Sequence, residues 1–370
     1  MKFTCQQQTL SRALNTVSKA VSNKTTIPIL KGILIEAKEN KIIFSASDLD
    51  ISIKKEISAE VEETGAAVVP SKLFGDIVRK LPNEEIKIEE YMDGNLSLST
   101  SSSEFAVITM PLDQFPSIGE NSENKAVVSI EANMFREMIR KTSFAASIEE
   151  SKGSLVGILT ELTEESIEMV ALDGFRLAHT RSEMINSESR SFIISAKIMN
   201  ELSKITSDEI EAATVRISLG EKSAIVNVGT TEVIVRMMEG EYIRYRDIIP
   251  KDSVINVVIN KALLLESIER ASLLAKEGKN NLIKFSIKDN MITITSRSDE
   301  GNVKEEIGIE KEGENLDIGF NSKYVIDVLK AIDDEEIMMN FKNGISPCVI
   351  TPVEGEEYEY LVLPVRIPNI

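Results

Sequence analysis

The sequence predicts an α+β chain of three repeated domains, each an antiparallel sheet with two helices laid against it. Three observations carry that prediction. A strand running into a lysine-led helix occurs three times, as VVPSKLFGDIVRKL from Val68, FIISAKIMNELSKI from Phe192 and IGFNSKYVIDVLKAI from Ile318. Its lysines, Lys72, Lys197 and Lys323, lie 125 and 126 residues apart, and Asp48, Asp173 and Asp299 repeat upstream with the same two offsets. A further strand and a longer helix open each unit, in FTCQQQTLSRALNTVSKAV from Phe3, VSIEANMFREMIRKTSFAA from Val128 and INVVINKALLLESIERASLLA from Ile255. Self-similarity at a fixed period fixes the architecture before any single element is assigned.

Between the two helices of a unit lie alternating segments such as KIIFSASDLDISIKKEI and NMITITSRSDEGNVKEEI, whose period of two reads as half-buried strands. Gly65, Gly94, Gly220, Gly301 and Asn343-Gly344 punctuate them as turns. The resulting order in each unit is strand, helix, strands, strand, helix, strands. Short polar or proline-containing stretches separate the units: PSIGENSENK, over Gly119 to Lys125, and DIIPKDS around Pro250. They set domains at 1–122, 123–249 and 250–370, too closely joined to be beads on a flexible string.

A chain of 370 residues is long enough for two or three such cores. No apolar run approaches the roughly 18 residues of a membrane span, and MKFTCQQQTLSRAL is not a secretory signal, so a cytoplasmic protein with no membrane partner is expected. Cys5 and Cys348 stand in no metal-binding or disulfide pattern. The net charge of -18 argues against nucleic acid at first sight. Its distribution answers the objection, because the six helices together carry +8 and so leave -26 outside them. Any amphipathic helix needs a charged face, but here the basic excess recurs in five of six related helices. Arg12, Lys19, Lys24, Lys72, Arg79, Lys80, Arg136, Arg140, Lys141, Lys197, Lys204, Lys323 and Lys330 form a set suited to phosphates without reading bases. Six helices about 10 Å wide, side by side on a circle, leave a hole of only ~10 Å, whereas twelve leave ~28 Å. A duplex roughly 20 Å across therefore needs two chains, joined head to tail.

Enzyme chemistry finds little support. The single histidine, His179, follows the apolar stretch FRLA without a nucleophile motif, and no GxGxxG or GxxxxGK[ST] loop is present. Asp48 and Asp50 share a strand face as a metal pair would, yet the repeat carries only the first of them into Asp173 and Asp299. A turn role, with the aspartate bonding nearby backbone, fits better. No catalytic residue, metal or cofactor is expected.

The opening MKFT, TIPILKGILIEA from Thr26, ALDGFRLAHTR from Ala171 and YLVLPVRI from Tyr360 resemble the bacterial DNA polymerase III beta subunit family, over essentially the whole chain. The resemblance implies the DNA clamp fold, with two chains closing a six-domain ring that encircles duplex DNA independently of sequence and confers processivity on the replicative DNA polymerase. It implies a clamp loader, and repair and translesion proteins that dock by short linear motifs. Carried onto this sequence, the docking pocket uses Leu155, Leu172, Gly174, Phe175, Arg176, Leu177, Ile243, Ile248, Pro347, Leu361, Leu363, Pro364, Val365 and Arg366. The ring contact uses Phe105 and Val107 against Leu273 and Leu274 of the second protomer. Phe175 stands where some relatives have His or Tyr, Ile243-Arg244 stands where Pro-Asp is frequent, and SSSEFAVITM lacks the arginines some relatives place on that edge. The alternative from another class is an acidic, repeat-built scaffold that binds peptides without DNA.

Overall fold

The computed structural model describes residues 1–22, 25–91, 94–118, 126–186, 188–209 and 212–367. Lys24, the Gly119 to Lys125 linker and the terminal Pro368-Asn369-Ile370 lie outside the described residues. The helices are α1 (Gln7–Val17), α2 (Ser71–Lys80), α3 (Ala132–Thr142), α4 (Ala196–Asp208), α5 (Lys261–Ala275) and α6 (Ser322–Ala331), two per repeat. Every strand pair among the described residues is antiparallel.

The chain divides into two compact units, Met1–Arg136 with Glu201–Met237, and Glu137–Asn200 with Met238–Ile370. Sheet pairing explains why the middle repeat is divided. In the first unit, an eight-stranded sheet joins middle-repeat strand Thr231–Arg236 to first-repeat strand Ile51–Ser58, in register from Thr231 opposite Lys55 to Val235 opposite Ile51. In the second unit, a nine-stranded sheet joins Arg176–Glu183 to Tyr358–Val362, with Arg176 opposite Val362 and His179 opposite Glu359. The pairing satisfies backbone groups that a separate domain would leave as open edges.

Each unit also holds a smaller sheet. The first has five strands ending on the unpaired edge Glu104–Ile108, and the second has four ending on the unpaired edge Gly301–Gly308. In the second unit α5 buries Leu264, Ile268, Ala271 and Ala275, at helical spacing, against strands Met291–Ser298 and Gly301–Gly308. Asn260 starts that helix, its side chain accepting from the Leu263 amide, and Asn321 caps α6 through the Lys323 amide. Arg79, Lys80, Arg140, Lys141 and Lys330 fall in last turns, where a cation is favoured by the helix dipole.

Candidate functional site

The ALDGFRLAHTR segment makes a tight turn between strands Ser166–Leu172 and Arg176–Glu183 of the second unit. Asp173 builds the turn, its Oδ1 accepting from the amides of Phe175 (2.8 Å) and Arg176 (3.1 Å), and Gly174 supplies the positive φ of 95° that the path requires. Asp48 makes the same loop in the first repeat, accepting from the amides of Asp50 and Ile51. These aspartates act on their own backbone.

Behind the turn lies an apolar cluster of Leu159, Val170, Leu172, Leu177, Ile193, Tyr245, Ile249, Val349 and Leu361, with Leu155, Met238, Tyr242 and Leu363 packed against it and still partly open. Five residues named from the sequence, Leu155, Leu172, Leu177, Leu361 and Leu363, thus come together. Ile243 and Ile248, 44% and 41% exposed, flank buried Tyr245. Phe175 is exposed and stacks on Tyr324 of α6, ring centroids 5.8 Å apart. The Leu363 amide donates to Phe175 O, which holds the C-terminal strand's end at the turn. Beyond Pro364 the tail departs: the Val365 amide donates to Gly319 O, and a Cβ on Gly319 would come within 2.7 Å of Val365 O. Val365 and exposed Arg366 therefore run along strand Leu316–Asn321, and half-buried Pro347 precedes strand Cys348–Pro352. Sequence reasoning missed Met238, Tyr242, Tyr245 and Val349, because no motif marks residues that meet the cluster only in three dimensions.

Arg176, which the resemblance puts in the docking pocket, is buried and engaged within the protein. Its guanidinium donates to Asp173 (3.1 Å), Asp327 (2.5 Å) and Phe144 O (2.7 Å), with the Tyr324 ring 4.8 Å away. It braces the turn against α6. Below the apolar floor, the Tyr245 hydroxyl donates to Glu161 (2.7 Å) and lies 3.2 Å from Glu168, and Arg246 bonds the same two carboxylates at 2.8 and 2.7 Å. His179 Nε2 donates to Glu168 at 3.0 Å, a structural placement. The His179 bond and the nearby Arg246 charge hold the Glu168 carboxyl down to about 2 despite its burial. Burial pushes the Tyr242 phenol up, its hydroxyl donating toward Gly157 O and Val170 O. A separate open cleft of about 440 Å³, lined by Glu165, Arg181, Glu183, Met184 and Ile185, lies toward the other end of these strands.

The basic residues divide into two classes. Lys19 pairs with Asp208, Arg79 with Asp76, Arg140 with Glu137 and Asp333, Lys141 with Asp333, Lys204 with Glu201, and Lys330 with Glu269. Arg12, Lys72, Lys80, Arg136, Lys197 and Lys323 make no ion pair among the described residues, and all but half-buried Arg136 are exposed. The charge open to phosphates is thus smaller than counting cations suggests.

The expected contact face needs a correction at Val107. Opposite Leu96 in the sheet, Val107 is 2% exposed and belongs to its own core, whereas Phe105, toward the end of the edge strand, is 41% exposed. Ile108, on the opposite face by strand alternation, is 75% exposed. On α5, Leu273 is 66% exposed and Leu274 half-buried. Leu273 stands one turn past Arg270, which bonds Glu305 of the free edge strand Gly301–Gly308.

Family models match three stretches: DNA polymerase III beta subunit N-terminal domain over 1–119, central domain over 129–243 and C-terminal domain over 246–366. A beta sliding clamp from Staphylococcus epidermidis is 35% identical over 99% of both chains. The solved Bacillus subtilis DNA polymerase sliding clamp superposes with a TM-score of 0.95 at 33% identity, covering all of both chains. The Thermotoga maritima DNA polymerase III beta subunit gives 0.93 at 33% identity, covering 99% of this chain and all of its own.

Proposed function

The chain belongs to the DNA polymerase III beta subunit family and is a DNA sliding clamp, and from that premise we propose how its surfaces do the work. Two copies close a ring head to tail around duplex DNA. The exposed Phe105 and the free edge Glu104–Ile108 of one copy meet Leu273 and the free edge Gly301–Gly308 of the other. Two unpaired antiparallel edges flanked by exposed apolar side chains are what such a contact uses, since pairing them removes both edges from water. Membership of the clamp family favours this reading over an acidic scaffold without DNA.

The exposed, unpaired cations on the helices face the duplex. So few phosphate contacts give weak, salt-sensitive attraction, and enclosure supplies the retention. The apolar cluster around Leu155, Leu172, Leu177, Leu361 and Leu363 docks short linear motifs of the replicative polymerase, the clamp loader and repair and translesion proteins. Each peptide side chain fully buried there contributes about 1.5 to 3 kcal/mol before ordering costs, which suits exchange among partners. The protein works in the cytoplasm and contributes no catalytic group of its own. Among the described residues no helix is long and apolar enough to cross a membrane.

The observation that carries this reading is the match of three successive beta-subunit domain models along one chain. The test is retention: protein assembled by a clamp loader should stay on nicked circular DNA at high salt and run off once the circle is cut. Equal loss from circle and line would refute enclosure.

A further inference from the structure

We infer that Asp208 and Asp333 hold the clamp's attraction for DNA down, by occupying Lys19 and Lys141 where one repeat meets the next. The inference rests on the reading that the helix cations face the duplex, and deepens it.

Both aspartates close the second helix of a repeat. Asp208 is the last residue of α4, and Asp333 stands two residues past the end of α6. A carboxylate there faces the negative end of the helix dipole, so a nearby cation has to offset it. Each aspartate is exposed and meets a half-buried lysine from the end of the preceding repeat's first helix. Lys19, in the turn Ser18–Ala20 after α1, bonds Asp208 at 2.5 Å, and Lys141, in the last turn of α3, lies 3.2 Å from Asp333. The first repeat, whose second helix follows no earlier repeat in the chain, has Pro82 two residues past the end of α2. The acid thus goes with the junction.

Arg140 also reaches Asp333, at 2.6 Å, but Glu137 (2.5 Å) and the carbonyl oxygens of Lys330 and Ala331 hold it as well. Among the described residues Lys19 and Lys141 have no second acid. They are therefore the cations that the aspartates control. A phosphate can engage either lysine only by displacing a tethered carboxylate, which also repels it on approach. A ring retained by enclosure loses nothing by so weak a grip, and the smaller electrostatic attraction leaves it freer to travel along the duplex.

The experiment compares the full chain with Asp208→Asn plus Asp333→Asn by filter binding to a linear duplex across a salt series. The variant should bind more tightly at low salt. Its slope of log affinity against log salt should be steeper by about 0.9 for each lysine that engages a phosphate, about 1.8 for both. Adding Lys19→Gln and Lys141→Gln should cancel the gain, which loss of a brace between repeats would not produce. Glu164→Gln with Glu165→Gln removes two exposed acids from the hairpin between strands Gly157–Leu162 and Ser166–Leu172, and should leave the slope as in the parent. Each aspartate variant alone should give half the steepening, which keeps the test in hand if the double variant does not fold. A parent-like slope in the aspartate variants, or an equal gain from the hairpin variant, would overturn the inference. If replacing Lys72, Lys197 and Lys323 also leaves binding unchanged, the reading of the helix face falls and the inference with it.

Discussion

Arg176 and Asp327 are joined at 2.5 Å, tying the turn of the middle repeat to helix α6 of the third. Because Arg176 is buried, removing Asp327 leaves a charge with fewer partners in a place that water reaches poorly. Asp327→Ala should lower stability by about 2 kcal/mol, since Asp173 and Phe144 O remain. Urea unfolding would check this, and a change below about 0.5 kcal/mol would mean the pair is idle.

Acid sensitivity should trace in part to Glu168. Its carboxyl is held at about 2, below the 4.5 it has when unperturbed, so its contribution is complete above about 4.5 and fades as pH falls toward 2. Glu168→Gln should be less stable than the parent at neutral pH, and the gap should narrow through that window. Unfolding midpoints for both proteins from pH 7 to 2.5 test the sign, and a gap that widens on acidification contradicts it.

Ring closure separates Val107 from its neighbours. Phe105→Ala with Leu273→Ala removes exposed apolar surface and should leave a folded monomer by ultracentrifugation. Val107→Ala opens a void in the protomer's own core and should lower stability by roughly 1 to 3 kcal/mol. A dimer that persists in the double variant would place the contact elsewhere.

Among the helix cations, the unpaired ones should dominate DNA attraction. Replacing Lys72, Lys197 and Lys323 by Gln should flatten the salt dependence of binding by about 0.9 for each phosphate no longer neutralised. Replacing Arg79 and Lys204, which already pair with Asp76 and Glu201, should change it less. Filter binding across a salt series gives both slopes, and equal effects would show that those ion pairs yield to phosphate.

The sequence by itself determined the three repeats, the six helices, the alternation of the strands and the aspartate turns. These follow from local periodicity and spacing, which specify which side of an element is apolar and where a chain turns. It also marked the family, with Leu155, Leu172, Leu177, Leu361 and Leu363, by resemblance. Only the tertiary structure decided that Thr231 lies opposite Lys55 and Arg176 opposite Val362, which fuses sheets across repeats and divides the middle one. Hydrogen-bond pairing between strands far apart in the chain leaves no trace in either strand's own pattern. The same limit hid the placement of Val107 at the core and Phe105 at the margin, since both occupy one face of one strand and differ in what covers them. Arg176 and Arg244 are alike as letters, and what separates them is whether an acid from a distant segment stands within a few ångströms of the guanidinium.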